Sequence, residues 1–248
     1  MQKRVRPPVW LWFNLLSLDA PLIALVWQDF LARCYPTALQ PTGRGVLGLT
    51  VWAIYLADRL LDVRCPAPAS ESIRQQFYRR HRTFAQTLFF VVMSVDLLAT
   101  CLWLRPAVFD NGLLLTAGVV AYLALFPLTR WGASAWKKPI AALLSTSGTF
   151  LIAWTGAGHP LTQLVWPAAA FCALCLSNLL IVDGVPHGWV WLILAGACLA
   201  ATRNPNWFGA IMASAAGLTA LCRWGRGISR EARCVLADAL LLTPLLFR

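Results

Sequence analysis

About nine apolar runs, each near the length a helix needs to cross a bilayer, follow one another along this 248-residue chain. They fall at roughly 9–31, 45–63, 83–104, 112–128, 139–156, 162–183, 187–202, 207–222 and 232–247, with about 20 residues per span as the yardstick. In hydrocarbon every backbone N–H and C=O must be satisfied within the chain. Each run is therefore predicted to be a helix, since an open strand edge could not be satisfied. Composition agrees: 59% of residues are hydrophobic and only 12% charged, where a soluble domain would carry about 25%. The expectation is an all-α fold, one integral membrane domain over 1–248, with no soluble domain or low-complexity linker. The basic start is followed by an apolar stretch holding Asn14, Asp19, Pro21 and Gln28. No small-residue cleavage site stands out after it, which predicts a retained first span rather than a signal peptide.

The net charge of +11 resides in short loops, so it reads as topology and argues against nucleic acid as a partner. With the N-terminus in the cytoplasm, that side holds Lys3, Arg4 and Arg6, the bases from Arg64 to Arg82, Arg130, Lys137 and Lys138, and Arg223 to Arg233. The far side holds Arg33, Arg44, Arg105, Arg203 and Arg248. That is fifteen against five, with Arg59 left inside a span. The positive-inside rule is satisfied, and an odd number of spans puts the C-terminus on the opposite side. A bacterial cytoplasmic membrane is the expected location.

The most expensive residues lie at the end of the second run, in Tyr55-Leu-Ala-Asp58-Arg59-Leu-Leu-Asp62. Charges in a span persist only when paired, hydrated or bound to something charged. Asp58 and Asp62 are i and i+4, so both carboxylates share one helix face. That is a mount for a hard divalent cation. The alternative is that Arg59 pairs with Asp62 at i+3 and the trio is a folding device.

The predicted topology puts two further clusters on the same side: Arg130, Lys137 and Lys138, then Asn178, Asp183 and His187 around a Gly-Val-Pro turn. Carboxylates plus bases at one mouth of a bundle suit a magnesium-bridged diphosphate, with the apolar interior left for a lipid tail. Alternatively the basic loops hold anionic membrane lipid and Asp183 ends a helix. The stretch Arg74-Gln-Gln-Phe-Tyr-Arg79-Arg80-His81-Arg82 is too polar to span and reads as a short surface helix, able to close over a phosphate or to anchor on anionic lipid.

Three more acids, Asp19, Asp96 and Asp238, fall in apolar runs and are expected to face the bundle interior. Cys172 and Cys175 form a C-x-x-C without a second pair, which reads as buried small hydrophobes. Trp10, Trp12, Trp103, Trp131, Trp136, Trp189 and Trp207 lie near predicted span ends and read as an interfacial belt.

On these residues the chain resembles the UbiA-type intramembrane prenyltransferases, a family of nine-helix proteins with two aspartate-rich motifs. Asp58-Arg59-Leu-Leu-Asp62 is similar to the D-R-x-x-D half of the first motif, with Ile54 and Tyr55 where the N-D half would stand. Phe126-Pro127-Leu128-Thr129-Arg130 echoes a Y-P-x-x-K-R segment. Asp183-x-x-x-His187, with Asn178 upstream, takes the place of the second motif. The resemblance implies transfer of a prenyl group from a polyprenyl diphosphate to a lipophilic, aromatic acceptor, with Mg2+ as cofactor. It assigns Asp58, Asp62, Asp183 and His187 to metal, and Arg59 and Arg130 to the diphosphate; Lys137, Asn178 and Tyr55 are further candidate substrate contacts. The eroded motifs leave open a non-catalytic relative that binds a lipid, quinone or pigment, or serves as a subunit of a membrane complex. A transporter using Asp19, Asp96 and Asp238 as a relay is the third reading, without the paired broken helices of inverted repeats.

Overall fold

A computed structural model of the chain describes residues 8–35, 37–64, 72–128, 134–155, 161–182 and 204–247, and among these every regular element is helical. After a 3-10 turn at Val9–Leu11 come α1 (Trp12–Leu15), α2 (Asp19–Cys34), α3 (Pro41–Asp62), α4 (Ile73–Arg80), α5 (Arg82–Trp103) and α6 (Pro106–Leu128). They are followed by α7 (Ser134–Thr155), α8 (Leu161–Val182), α9 (Pro205–Trp224), α10 (Arg230–Leu240) and a 3-10 turn at Thr243–Leu246. Local chemistry sets several of these starts. Pro41 and Pro205 occupy first-turn positions where a missing N–H costs nothing. Ser72 and Gln75 form a reciprocal capping box on α4, and Asn204 and Ser229 cap α9 and α10.

Three helices are long and apolar enough to cross a membrane: α5, α6 (as Pro106–Leu125) and α8 (as Gln163–Val182). The bent pair of the N-terminal segment and α2 makes a fourth if counted as one span. Nine spans are thus not what the described residues present. α3 and α7 have the length, but α3 carries Arg44, Asp58, Arg59 and Asp62, and α7 carries Lys137 and Lys138. α9 is diluted by Ala, Gly and Ser. The expected ninth span is an 11-residue helix followed by a 3-10 turn, too short to cross. The expected seventh, 187–202, lies outside the described residues.

The first predicted span is broken: its two halves meet at 75°. The turn is at Ser17, whose φ of 55° lies in the left-handed region. Neighbours hold it from two sides. Trp52 Nε1 of α3 donates to Leu16 O at 2.8 Å, and Ser17 Oγ lies 3.1 Å from the Tyr78 hydroxyl of α4. Tyr78→Phe should cost about 1 kcal/mol, the usual worth of one such bond. Thermal unfolding in detergent measures it, and an unchanged midpoint would mean that packing alone holds the bend.

α2 is the centre of the bundle, packed against α3, α7, α9 and α10. Its Trp27 and Phe30 meet Phe150 of α7, Phe171 of α8 and Trp207 of α9, all at most 2% exposed. Ring centroids lie 4.8 Å apart for Trp27–Phe171 and 5.3 Å for Trp27–Trp207, within the range of favourable aromatic pairs. Trp27 Nε1 also donates to Leu241 O at 2.7 Å, beyond the end of α10. Trp207 therefore belongs to the core and not to the interfacial belt. Trp10, Trp12, Trp103 and Trp136 are exposed as a belt requires, and Trp131 and Trp189 lie outside the described residues.

The opposite arrangement marks α5 and α6. Phe90, Val91, Leu97, Leu98 and Leu102 of α5 and Leu113, Leu114, Val120 and Leu125 of α6 all point outward. The one acid in the middle of α5, Asp96, turns inward and accepts from Thr50 Oγ1 of α3 at 2.8 Å. Apolar outside and polar inside is the pattern that lipid imposes. Cys172 and Cys175 pack against the aromatic core as small apolar groups.

Candidate functional site

The last turn of α3 presents Asp58, Arg59 and Asp62 beside the first turn of α7, which brings Lys137. Arg59 Nη1 lies 3.3 Å from Asp58 Oδ2 and 3.5 Å from Asp62 Oδ2. Lys137 Nζ lies 3.5 Å from Asp58 Oδ1 and 3.4 Å from Asp62 Oδ1. Each carboxylate is thus bracketed by a guanidinium and an ammonium, and two acids balance two bases. The side chains are 18–35% exposed, so the four form a half-buried network at one mouth of the bundle.

Both sequence alternatives are therefore present at once. The acids share a face, as i and i+4 require, and Arg59 does fold onto Asp62. Tyr55, one turn back, supports the arrangement from below: the Arg59 guanidinium lies 5.8 Å from its ring centroid, a cation–π contact. Tyr122 of α6 is within electrostatic reach of Asp58 and Asp62.

The surface helix α4 closes the same end. Its capping box fixes the first turn, and Arg74 on that turn is pushed below the usual guanidinium value, first by the like charge of Arg59 and then by burial. Two guanidiniums that repel leave a place receptive to an anion. Exposed Arg79, Arg80, His81 and Arg82 continue the basic surface away from the mouth.

Comparison with models of known families, with characterised proteins and with solved structures returns no match. The site rests on its own geometry.

Of the residues singled out from the sequence, Tyr55, Asp58, Arg59, Asp62 and Lys137 come together. Arg130, Asp183 and His187 lie outside the described residues. Asn178 donates to Asp238 Oδ1 at 3.0 Å, in a second polar cluster. Among the described residues no group of three or more His, Cys, Asp and Glu is placed to hold a metal. Two carboxylates one turn apart do suit a single Mg2+, which keeps several waters and takes one or two carboxylates plus substrate phosphates.

Two small cavities lined by described residues measure about 30 and 10 Å3, space for a water at most. Tyr122, Asp19 and Asp238 are the neighbours that sequence reasoning left out of the site, while Arg74 lies in the run read as able to close over a phosphate.

Proposed function

We propose that this chain is a membrane enzyme with UbiA-like chemistry. It takes a prenyl diphosphate at the mouth formed by α3, α4 and α7 and transfers the prenyl group to a lipophilic, aromatic acceptor. The observation that carries this reading is the convergence of Asp58, Asp62, Arg59 and Lys137. A diphosphate with Mg2+ needs carboxylates for the metal and cations for the phosphates, and in its absence those same groups neutralise one another.

Asp58 and Asp62 would hold Mg2+, which when bound neutralises charge on the departing diphosphate. Lys137 and Arg59 turn from the acids to phosphate oxygens, and Arg74 approaches from α4. The allylic C–O bond breaks, its electron pair leaves with the diphosphate, and an acceptor carbon bonds to the allylic carbon and loses a proton. Tyr55 and Tyr122 present aromatic faces and hydroxyls to this region. The bacterial cytoplasmic membrane, with the mouth on the cytoplasmic side, fits the loop charges.

A second reading has its own support. Asp58 and Asp62 are already balanced by Arg59 and Lys137. Under it the chain is a non-catalytic member of a membrane assembly and the network is a folding device.

Magnesium-dependent diphosphate release from geranylgeranyl diphosphate separates the two. Purified protein should bind the substrate and, with an aromatic acceptor, release diphosphate only when magnesium is present. D58N/D62N should lose at least about two orders of magnitude, as when a group stabilising a leaving anion is removed. A folded wild-type protein that neither binds nor releases leaves the second reading standing.

A further inference from the structure

A second polar cluster lies behind the first, and the proposed reaction does not use it. Asp19 opens α2 just past the bend, and Asp238 lies on α10. Asn14 Nδ2 donates to Asp19 Oδ2 at 2.6 Å and to Asp238 Oδ2 at 3.4 Å, so two carboxylates share one amide nitrogen. Asn178 of α8 donates to Asp238 Oδ1 at 3.0 Å. Asn14 and Asn178 are only 6% and 8% exposed.

Among the described residues neither acid makes an ion pair. Two carboxylates facing one another in a half-buried site cannot both ionise cheaply. One proton between them resolves the conflict, because a protonated carboxyl becomes a donor to its neighbour.

We propose that Asp19 and Asp238 form a carboxyl–carboxylate pair holding one proton, and that this proton latches the bent N-terminal segment to the C-terminal helix α10.

The surroundings fit one proton and not two. The charged and titratable groups facing the pair are Tyr55 and Arg59 of α3, Arg74 and Tyr78 of α4, and Arg230, Glu231 and Cys234 of α10. Arg74 exerts its charge on both acids, which favours keeping one negative charge on the pair. The cavity of about 30 Å3, lined by Asn14, Arg74, Val182 and Cys234 among others, admits a water against the shared amide. Asp238, on a helix too short to span, is held well above the usual carboxylate range, first by burial and then by the charge of Asp19.

An acid raised in the folded state stabilises fully below its unfolded value of about 4, and that contribution is lost as pH rises through the folded value. Thermal unfolding of the full chain in detergent from pH 5 to 9 tests this, with wild type beside D238N and D19N at low and high sodium and magnesium. In either variant an amide N–H takes the place of the shared proton. The wild-type midpoint should fall by about 3–6 °C across the range, and both variants should lose that slope. Hydrogen-exchange protection at 9–18, corrected for intrinsic rate, should fall in parallel in the wild type alone.

A flat wild-type profile, or a slope kept in both variants, overturns the proposal. So does constant protection at 9–18. Recovery of the alkaline wild type by sodium or magnesium, absent from D238N, also overturns it, because the pair would then bind a metal cation. If D238N does not fold, D19N makes the same comparison alone. None of these outcomes bears on the reaction assigned to Asp58 and Asp62.

Discussion

Arg59→Met should lower the stability of the purified protein by about 3 kcal/mol, which is the lower end for removing one partner of a buried ion pair. The lower end applies because Asp62 keeps one-third of its side chain in contact with solvent. Arg59 is the group that touches both acids from their own helix, and its guanidinium sits over the Tyr55 ring. Without it, Asp58 and Asp62 face each other with only Lys137 between them. For a chain of this length the change reads as a fall of roughly 6–12 °C in Tm. Arg59→Lys should recover part of the loss, because charge returns but the planar fork does not. Adding Asp58→Asn to Arg59→Met should also recover part, since one uncompensated charge is removed with it. A methionine variant as stable as wild type would mean that the four charges are merely solvated, and the network would cease to be a folding device.

Trp207→Ala should cost about 3–5 kcal/mol, the range for deleting a large buried aromatic. The indole is fully enclosed by Trp27, Phe30 and Phe150, at centroid distances of 5.3, 5.7 and 5.8 Å. Its Nε1 has no partner among the described residues. Trp207→Phe should therefore lose ring volume but no hydrogen bond, and fall well short of the alanine cost. Trp27 is the contrasting case. Trp27→Phe gives up ring volume and also strips Leu241 O of its donor, so it should destabilise more than Trp207→Phe. Denaturation of the four proteins in one detergent gives the order. If the two phenylalanine variants come out equal, the indole–carbonyl bond contributes nothing.

Helices were legible because nothing else satisfies a backbone in apolar surroundings, and the shared face of Asp58 and Asp62 was legible because four residues make one turn. The short surface helix α4 was legible because the run from Arg74 to Arg82 is too polar to span. The span count was less accessible. Length alone does not separate a helix such as α3, which carries four charges, from one such as α5, whose exposed face is continuous hydrocarbon. The break at Ser17 had no glycine or proline to mark it, because its conformation is held from outside by Trp52 and Tyr78. Lys137 meets Asp62 across 75 residues, and Asn14 reaches Asp238 across 224. No local pattern reports on partners so remote. Trp207 was misplaced for a related reason: a tryptophan near the start of an apolar run looks the same whether that start meets lipid head groups or the middle of another helix's packing face.

The hydrogen bond from Trp27 to Leu241 spans 214 residues of the chain. Helices of a membrane chain leave the ribosome in order, so α2 is among the first to reach the bilayer and waits through the synthesis of nearly everything else. Until the residues after α10 are made, its indole N–H lacks the carbonyl that it meets in the fold. The core is therefore completed only when segments made far apart in time come together. A chain cut before Leu241 keeps the aromatic rings of the core and loses the one backbone acceptor that fixes Trp27 among them.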